Sequence, residues 1–370
     1  MFMGPTDSLL LKLRKKSMTN KIDLYSMTDT ELEEYFISLG EPKFRAKQVF
    51  PRLAEGCPLA EMTNLSKKLR ERLEAETIDT LPRVEEKLVS KIDGTVKYLF
   101  RLYDGECVES VFMRYKHGNT LCISSQVGCR MGCRFCASTI GGKVRDLLPS
   151  ELLGQIIAAE KDTGERVSNI VMMGIGEPLD NFDNVVKFLK IVNLPGGLNI
   201  GYRHISLSTC GVVPGILKLA EVDIPITLSI SLHAATDEKR SAIMPVNNKW
   251  KIADLLDACV AYYGTTGRRI SFEYTLISGK NDTITDAREL GELLIKAFRG
   301  TGAPIHVNLI RVNEVKETGF TRPSEEAANA FAKALERMGI VATIRRRLGS
   351  DVNAACGQLR RAGAPGKDTK

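Results

Sequence analysis

The chain has 370 residues, 43% hydrophobic and 26% charged, with a formal net charge of +7 that permits nucleic-acid binding without requiring it. This composition excludes a disordered or fibrous protein, and the lack of a long uncharged apolar run predicts no helical membrane span. Nine cysteines, with no apolar leader ahead of a small-residue cleavage site, predict reduced thiols in a cytoplasmic protein and not a disulfide framework.

In chain order, residues 1–18 read as a disordered tail, with Met18 as an alternative start. Residues 19–90 read as a small helical module. Thr28 and Glu31 fit a capping box, Leu32, Tyr35, Phe36 and Leu39 follow at helical spacing, and Gly40 ends the run. A second helix puts Ala46, Val49, Phe50 and Leu53 on one face. A third carries Leu65, Leu69 and Leu73, with Lys67, Lys68, Arg70 and Arg72 outward, which fits either RNA contact or a solvated face. Residues 91–118 alternate like strands around the hairpin signal Asp104-Gly105 and form a β extension.

From 119 to 362 short apolar strands alternate with helical stretches. Strands are predicted at Leu121–Ser125, Asn169–Met173, His204–Ser208, Thr227–Ser231, Ile270–Leu276 and His306–Ile310, each followed by a helix-length segment, with Val341–Arg345 as a last edge. Six β/α units in a row imply an α/β fold with a parallel sheet curled into a full or partial barrel. Residues 363–370 read as a second disordered tail.

The loop after the first of these strands is Gly128-Cys129-Arg130-Met131-Gly132-Cys133-Arg134-Phe135-Cys136. Three thiolates at this spacing can wrap one 4Fe–4S cube and leave one iron without a protein ligand. That iron can chelate the amino and carboxylate groups of S-adenosylmethionine. An electron from the cluster then breaks the sulfonium C–S bond and gives a 5′-deoxyadenosyl radical. A structural zinc site would ask for four ligands, commonly in paired Cys-x-x-Cys units, and no second pair lies nearby.

Chemistry in a β/α barrel gathers at the carboxyl ends of the strands. There the chain places Gly174-Ile175-Gly176-Glu177-Pro178, then Ser208-Thr209-Cys210-Gly211, then Ser231-Leu232-His233, and then Asn313. Each alone also fits an ordinary strand–helix turn, but together above a cluster loop they read as ligand-facing. His233, one of four histidines, ends a strand. Pattern alone does not decide whether Cys122 and Cys356 are reactive thiols or small buried hydrophobes. Cys57, Cys107, Cys210 and Cys259 are read as the latter. Glu109, by itself, reads as an exposed charge in an alternating strand.

From about residue 28 to 361 the chain resembles the RlmN/Cfr family of radical S-adenosylmethionine RNA methyltransferases. The resemblance rests on Glu61-Met62-Thr63-Asn64-Leu65-Ser66, Ser124 through Cys129, Met173 through Pro178, Ser229 through Ala234, and Asp351 through Leu359. It implies a partial (β/α)6 barrel with a small helical domain and a β extension. It implies cluster ligands Cys129, Cys133 and Cys136, and cofactor contacts from Gly176, Glu177, Ser208, Ser231, Leu232, His233 and Asn313. One S-adenosylmethionine would methylate Cys356, and a second would supply the radical that abstracts hydrogen from that methyl group. The methylene radical adds to C2 of an adenine, Glu109 removes the C2 proton, and Cys122 resolves the protein–RNA adduct through a transient disulfide with Cys356. C2 is electron-poor, so direct transfer from a sulfonium fails where a carbon radical succeeds, and a thiol is the natural partner for releasing the product.

The implied partners are 23S rRNA, tRNA and an electron donor such as flavodoxin or ferredoxin, with the chain acting as a monomer and no membrane involved. Arg345-Arg346-Arg347, Arg268-Arg269 and Arg360-Arg361 fit phosphate contacts or ordinary solvated charges. Cys210 stands where the family often has a second Ser, and Arg311 replaces a common Pro before Asn313. Residues 1–18 match no family pattern. The rival readings are a Cfr-type C8 methyltransferase and a non-catalytic zinc-dependent RNA-binding protein.

Overall fold

The protein is represented by a computed structural model that describes residues 21–314 and 319–352. Expectations for residues 1–18, Cys356, Arg360, Arg361 and 363–370 lie outside the described residues.

The helical module consists of α1 (Asp29–Ser38), α2 (Phe44–Ala54) and α3 (Lys67–Glu76). The capping box is present: Thr28 Oγ1 accepts from Glu31 N at 3.2 Å and Glu31 Oε2 accepts from Thr28 N at 2.8 Å. The expected faces are buried, with Leu32, Tyr35 and Phe36 on α1, the Ala46, Val49, Phe50 and Leu53 stripe on α2, and Leu69 and Leu73 on α3. Leu39 is only partly buried. The outward cations of α3 are engaged locally: Arg72 Nε bonds Glu76 at 2.9 Å, and Arg70 reaches the Ala60 carbonyl.

The module is shorter than the sequence suggested. Residues assigned to it form β1 (Arg83–Val89), which pairs antiparallel with β2 (Val96–Arg101). Arg-Val-Glu-Glu-Lys-Leu-Val is mostly exposed, so it lacks the alternation of a half-buried strand and marks a charged sheet edge instead. β2 turns at Gly105 (φ +91°) into β3 (Cys107–Met113), the hairpin expected from Asp104-Gly105.

β4 (Thr120–Cys122) begins the barrel sheet. A separate two-stranded ribbon, β5 (Gln126–Gly128) and β6 (Lys143–Asp146), brackets the cysteine loop. The β/α units follow as α4 (Pro149–Thr163), β7 (Asn169–Met172), α5 (Phe182–Asn193), β8 (Ile205–Thr209), α6 (Val213–Glu221) and β9 (Thr227–Ser231). They continue as α7 (Asp237–Ile243), α8 (Ile252–Thr266), β10 (Ile270–Leu276), α9 (Ile284–Ala297), β11 (His306–Arg311), α10 (Glu325–Glu336) and β12 (Val341–Ile344). The ten-stranded sheet runs β1-β2-β3-β4-β7-β8-β9-β10-β11-β12, antiparallel as far as β4 and parallel from there on. Among the described residues it does not close, as in a partial barrel.

Apolar residues such as Leu228, Ile230 and Leu232 face the helices, while Ser229 and Ser231 alternate toward the lumen. Beyond β12 the chain is pinned to the β1–β2 hairpin. Asp351 accepts from Ser90 Oγ at 2.7 Å and from Lys91 N at 2.8 Å, and Asp93 accepts from Gly349 N at 2.9 Å.

Candidate functional site

The cysteine loop leaves β5 and returns through β6, closed by Cys129 N donating to Gly142 O at 3.2 Å. Gly128 (φ +77°) and Gly132 (φ +73°) supply left-handed turns that an L side chain would strain. Within the loop Cys136 N donates to Cys133 O at 3.0 Å, and Arg134 N docks on Ile243 O at 2.9 Å. All three thiols line one cavity of about 260 Å³.

The carboxyl ends of the strands complete that cavity. Gly176, Glu177, Ser208, Ser231, His233 and Asn313, all marked in the sequence, line it together with Cys210, Glu273 and Thr275. Leu232 does not. Strand alternation turns its side chain into the core, and only its backbone lies at the rim, where its N–H donates to Glu273 O at 3.0 Å.

Gly174 and Gly176 let the loop after β7 lie against β4 and β5. A Cβ on Gly174 would meet the Ile123 carbonyl at 2.6 Å, and one on Gly176 would meet Gln126 N at 2.7 Å. Gln126 Oε1 accepts from Glu177 N at 2.9 Å, which ties this loop to the start of the cysteine loop. Glu177 is buried. Its Oε1 accepts from Leu179 N at 3.0 Å and its Oε2 from Cys210 N at 2.7 Å. Burial raises its carboxyl above the ordinary range, opposed by these hydrogen bonds. A cationic ammonium in the cavity would favour the ionised form.

His233 holds a left-handed backbone (φ +60°), unusual for a side-chain-bearing residue. Asn281 fixes it: Nδ2 donates to His233 O and to Thr275 O, both at 2.8 Å. His233 Nδ1 accepts from Thr275 N at 2.9 Å, so the neutral ring carries its proton on Nε2 as a donor. Burial and Arg240 push its pKa from 6.5 down to about 3. The unfolded chain therefore takes up a proton that the folded chain refuses, and folding stability should fall as pH drops from about 6.5 toward about 3. The expected slope is about 1.4 kcal/mol per pH unit from this group. Denaturant midpoints across that range should fall less steeply for His233→Asn, and an unchanged slope would contradict this account.

The thiols suit a metal cluster. Burial pushes Cys129 up to about 12 and raises Cys133 further, so both are neutral until a cation arrives. Among the described residues no three His, Cys, Asp or Glu side chains converge as ligands of a single ion. A cube takes its three thiolates on separate irons and asks for no such convergence. Ser138, which also lines the cavity, has a buried Oγ without a hydrogen-bond partner.

Glu109 and Cys122 lie outside the cavity wall. Val111 on β3 sits opposite Cys122 on β4, so Glu109, two residues away, shares their face of the sheet. Glu109 is not the exposed charge its pattern suggested. β3 is covered on both faces, and Glu109 pairs with buried Lys97 at 3.1 Å. Cys122 packs with Val111 and Met113, and partly buried Met173 and Leu348 close over them. Met173 also lines the cavity, and Leu348 belongs to the segment leading toward Cys356. Among the described residues no two cysteines are bonded to each other. Cys57, Cys107 and Cys259 are buried as expected, whereas Cys210 is buried in the cavity wall.

Of the arginines marked as phosphate contacts, Arg269 and Arg345 meet Arg203 around a second cavity of about 450 Å³ at the amino ends of the strands. Glu273, which the sequence reading passed over, lies between the two cavities and accepts from Asn308 Nδ2 at 2.6 Å. Ile270–Leu276 alternates apolar and polar residues, and a carboxylate between Ser271 and Thr275 on its polar face was the signal available.

Comparison with known proteins follows the same division of the chain. Residues 123–291 match the Radical SAM superfamily profile. Residues 22–78 match that of the Ribosomal RNA large subunit methyltransferase N-terminal domain. The chain is 54% identical over 342 residues to the "Probable dual-specificity RNA methyltransferase RlmN" of Alkaliphilus oremlandii, covering 92% of this chain and 98% of that relative. A protein with the same printed name from Clostridium perfringens is 50% identical over 350 residues, covering 94% and 99%. A crystal structure of a radical SAM methyltransferase from Sphaerobacter thermophilus superposes with a TM-score of 0.85 at 40% identity, covering 91% of this chain and 98% of that one.

Proposed function

Because the chain belongs to the RlmN family of radical SAM RNA methyltransferases, we propose that it methylates C2 of an adenosine in the peptidyl-transferase centre of 23S rRNA and of the adenosine 3′ of the anticodon in some tRNAs. The observation that carries this reading is the single cavity uniting three loop cysteines with Glu177, Ser208, Ser231, His233 and Asn313.

Cys129, Cys133 and Cys136 would hold a 4Fe–4S cluster. When bound, it supplies the electron that cleaves S-adenosylmethionine to a 5′-deoxyadenosyl radical. Glu177 is the carboxylate placed to accept from the cofactor's ammonium. Ser208, Ser231 and Asn313 offer neutral hydrogen bonds, and His233 offers its Nε2 proton. Gly176 allows close backbone approach. Leu232 contributes through its main chain at most.

Cys356 carries the methyl group. Glu109 takes the C2 proton at its carboxylate, and Lys97 balances the charge that the carboxylate holds before that transfer. The Cys122 thiolate then attacks the sulfur of Cys356: the S–S bond forms as the S–CH2 bond breaks, the methylene carbon keeps the electron pair and is protonated to the 2-methyl group, and an external dithiol returns the transient disulfide to two thiols. The packing of Leu348 against the Cys122 cluster supports this pairing, since it brings the approach to Cys356 alongside Cys122. The chain works in the cytoplasm as a monomer, reduced by a flavodoxin- or ferredoxin-class donor.

Incubating anaerobically reconstituted protein with 23S rRNA, S-adenosylmethionine and a reductant should yield 2-methyladenosine on nucleoside mass spectrometry. 8-Methyladenosine as the main product would overturn the assignment in favour of C8 chemistry. A colourless protein holding zinc in place of iron would overturn the radical reading altogether.

A further inference from the structure

Arg240 lies in Asp237–Ile243, a segment whose charges suggest a surface helix. Its side chain is instead the bulkiest of those that are fully buried. Every hydrogen bond from its guanidinium goes to a neutral acceptor. Nε donates to Leu232 O at 3.1 Å, and Nη1 to Asn247 Oδ1 at 3.0 Å. Nη2 donates to Cys210 O at 2.7 Å and to Ser231 O at 3.2 Å. A Cβ on Gly211 would come within 3.2 Å of Nη2, so the glycine clears this place. Asp237, on the same helix, is engaged elsewhere, accepting from Asn247 Nδ2 and from Ile252 N, both at 3.0 Å.

A buried cation with no counter-charge is strongly unfavourable. Among the described residues no carboxylate forms an ion pair with Arg240, so its partner is of another kind. Burial acts on it most, and among charges a negative one on the sulfurs of Cys210 and Cys133 would act more strongly than that of Asp237, which reaches Arg240 only through Asn247. Cys133 packs with Cys210, Ile243 and Met244, directly beyond Arg240 in the chain. Burial keeps Cys210, which is not a proposed ligand, a neutral thiol, so thiolate charge arrives there only at Cys133 and only with iron. A four-iron, four-sulfide cube with three thiolates carries a net charge of about −1, and about −2 after accepting one electron from an external donor.

We propose that Arg240 is the built-in counter-charge of the cluster: a positioning residue that never touches substrate but favours electron uptake by the cube held at Cys129, Cys133 and Cys136. This rests on reading those cysteines as cluster ligands. The one-electron reduction makes the cluster more negative, and a fixed cation nearby stabilises the reduced form, so Arg240 raises the midpoint potential.

The test is a potentiometric titration of the anaerobically reconstituted protein, followed by EPR, with iron content and thermal unfolding measured in parallel. Arg240→Gln should move the midpoint to more negative potential, while Arg240→Lys, which keeps the charge but loses most of the hydrogen bonds, should stay close to the unmodified protein. The exchange variant Asp237→Asn, Asn247→Asp should shift the midpoint in the same direction as Arg240→Gln, because it moves the carboxylate onto Nη1 with Arg240 still in place and leaves no second carboxylate beside it. That variant carries the test if Arg240→Gln does not fold. Iron-replete Arg240→Gln or the Asp237→Asn, Asn247→Asp exchange with an unmoved midpoint would overturn the proposal, as would an Arg240→Lys shift as large as that of Arg240→Gln. Unmodified protein that binds no iron would sink the cluster reading itself, which is a different failure.

Discussion

Cys356→Ala is expected to lower RNA methylation by at least about a thousandfold, the scale on which loss of a covalent catalytic group is felt. Iron content and reductive cleavage of S-adenosylmethionine should be unchanged, because the proposed cluster ligands are Cys129, Cys133 and Cys136 and none of the proposed cofactor contacts is Cys356. The dissociation of the two activities is the informative part. Scintillation counting of methyl groups transferred to RNA reads the first, and chromatography of 5′-deoxyadenosine reads the second. A variant that still methylates RNA would show that the methyl group does not pass through this thiol. Loss of both activities would show that Cys356 belongs to the radical-generating half of the site.

Glu109→Ala should both abolish methylation and destabilise the fold. Lys97 and Glu109 are 0% and 2% exposed and 3.1 Å apart. Removing one partner of a pair buried this deeply costs about 3–5 kcal/mol. Replacing both with apolar residues of similar volume is often close to neutral. The double variant Lys97→Met, Glu109→Leu should therefore regain most of the lost stability, read from denaturant midpoints, and remain inactive. If it regained methylation, Glu109 would be a structural ion and not the base. If Glu109→Ala unfolded at the same denaturant concentration as the unmodified chain, the pair would carry none of the stability assigned to it.

These expectations draw unequally on sequence and structure. The β/α rhythm was legible because each parallel strand is a short segment with an apolar face and each helix repeats at helical spacing. Thr227–Ser231 and Ile270–Leu276 end where their pattern ends. The cavity was legible because function at a barrel rim concentrates glycines and polar residues just past the strands, as with Gly176, Glu177, Ser208, Ser231, His233 and Asn313. What sequence could not give was direction. Leu232, flanked by two rim residues, points into the core. Glu109 looks like a solvated charge because alternation does not say whether the outer face is covered. Arg240 sits among charged neighbours in a short helix and carried no signal of burial. Arg83–Val89 was hidden by its own charge, since an edge strand that avoids pairing with other chains resembles a polar linker.

The staple at the end of β12 bears on how one cysteine could serve so many partners. Asp351 is bonded to Ser90 and Lys91 of the β1–β2 hairpin, and Cys356 follows five residues later in the sequence. Five residues of backbone span at most about 18 Å. A short leash of this kind turns successive encounters into intramolecular ones, with effective concentrations on the order of millimolar. On the proposed mechanism one sulfur meets a bound methyl donor, a radical, a docked nucleobase and a second thiol in turn, and Cys122, on the same chain, never has to find it by bimolecular collision.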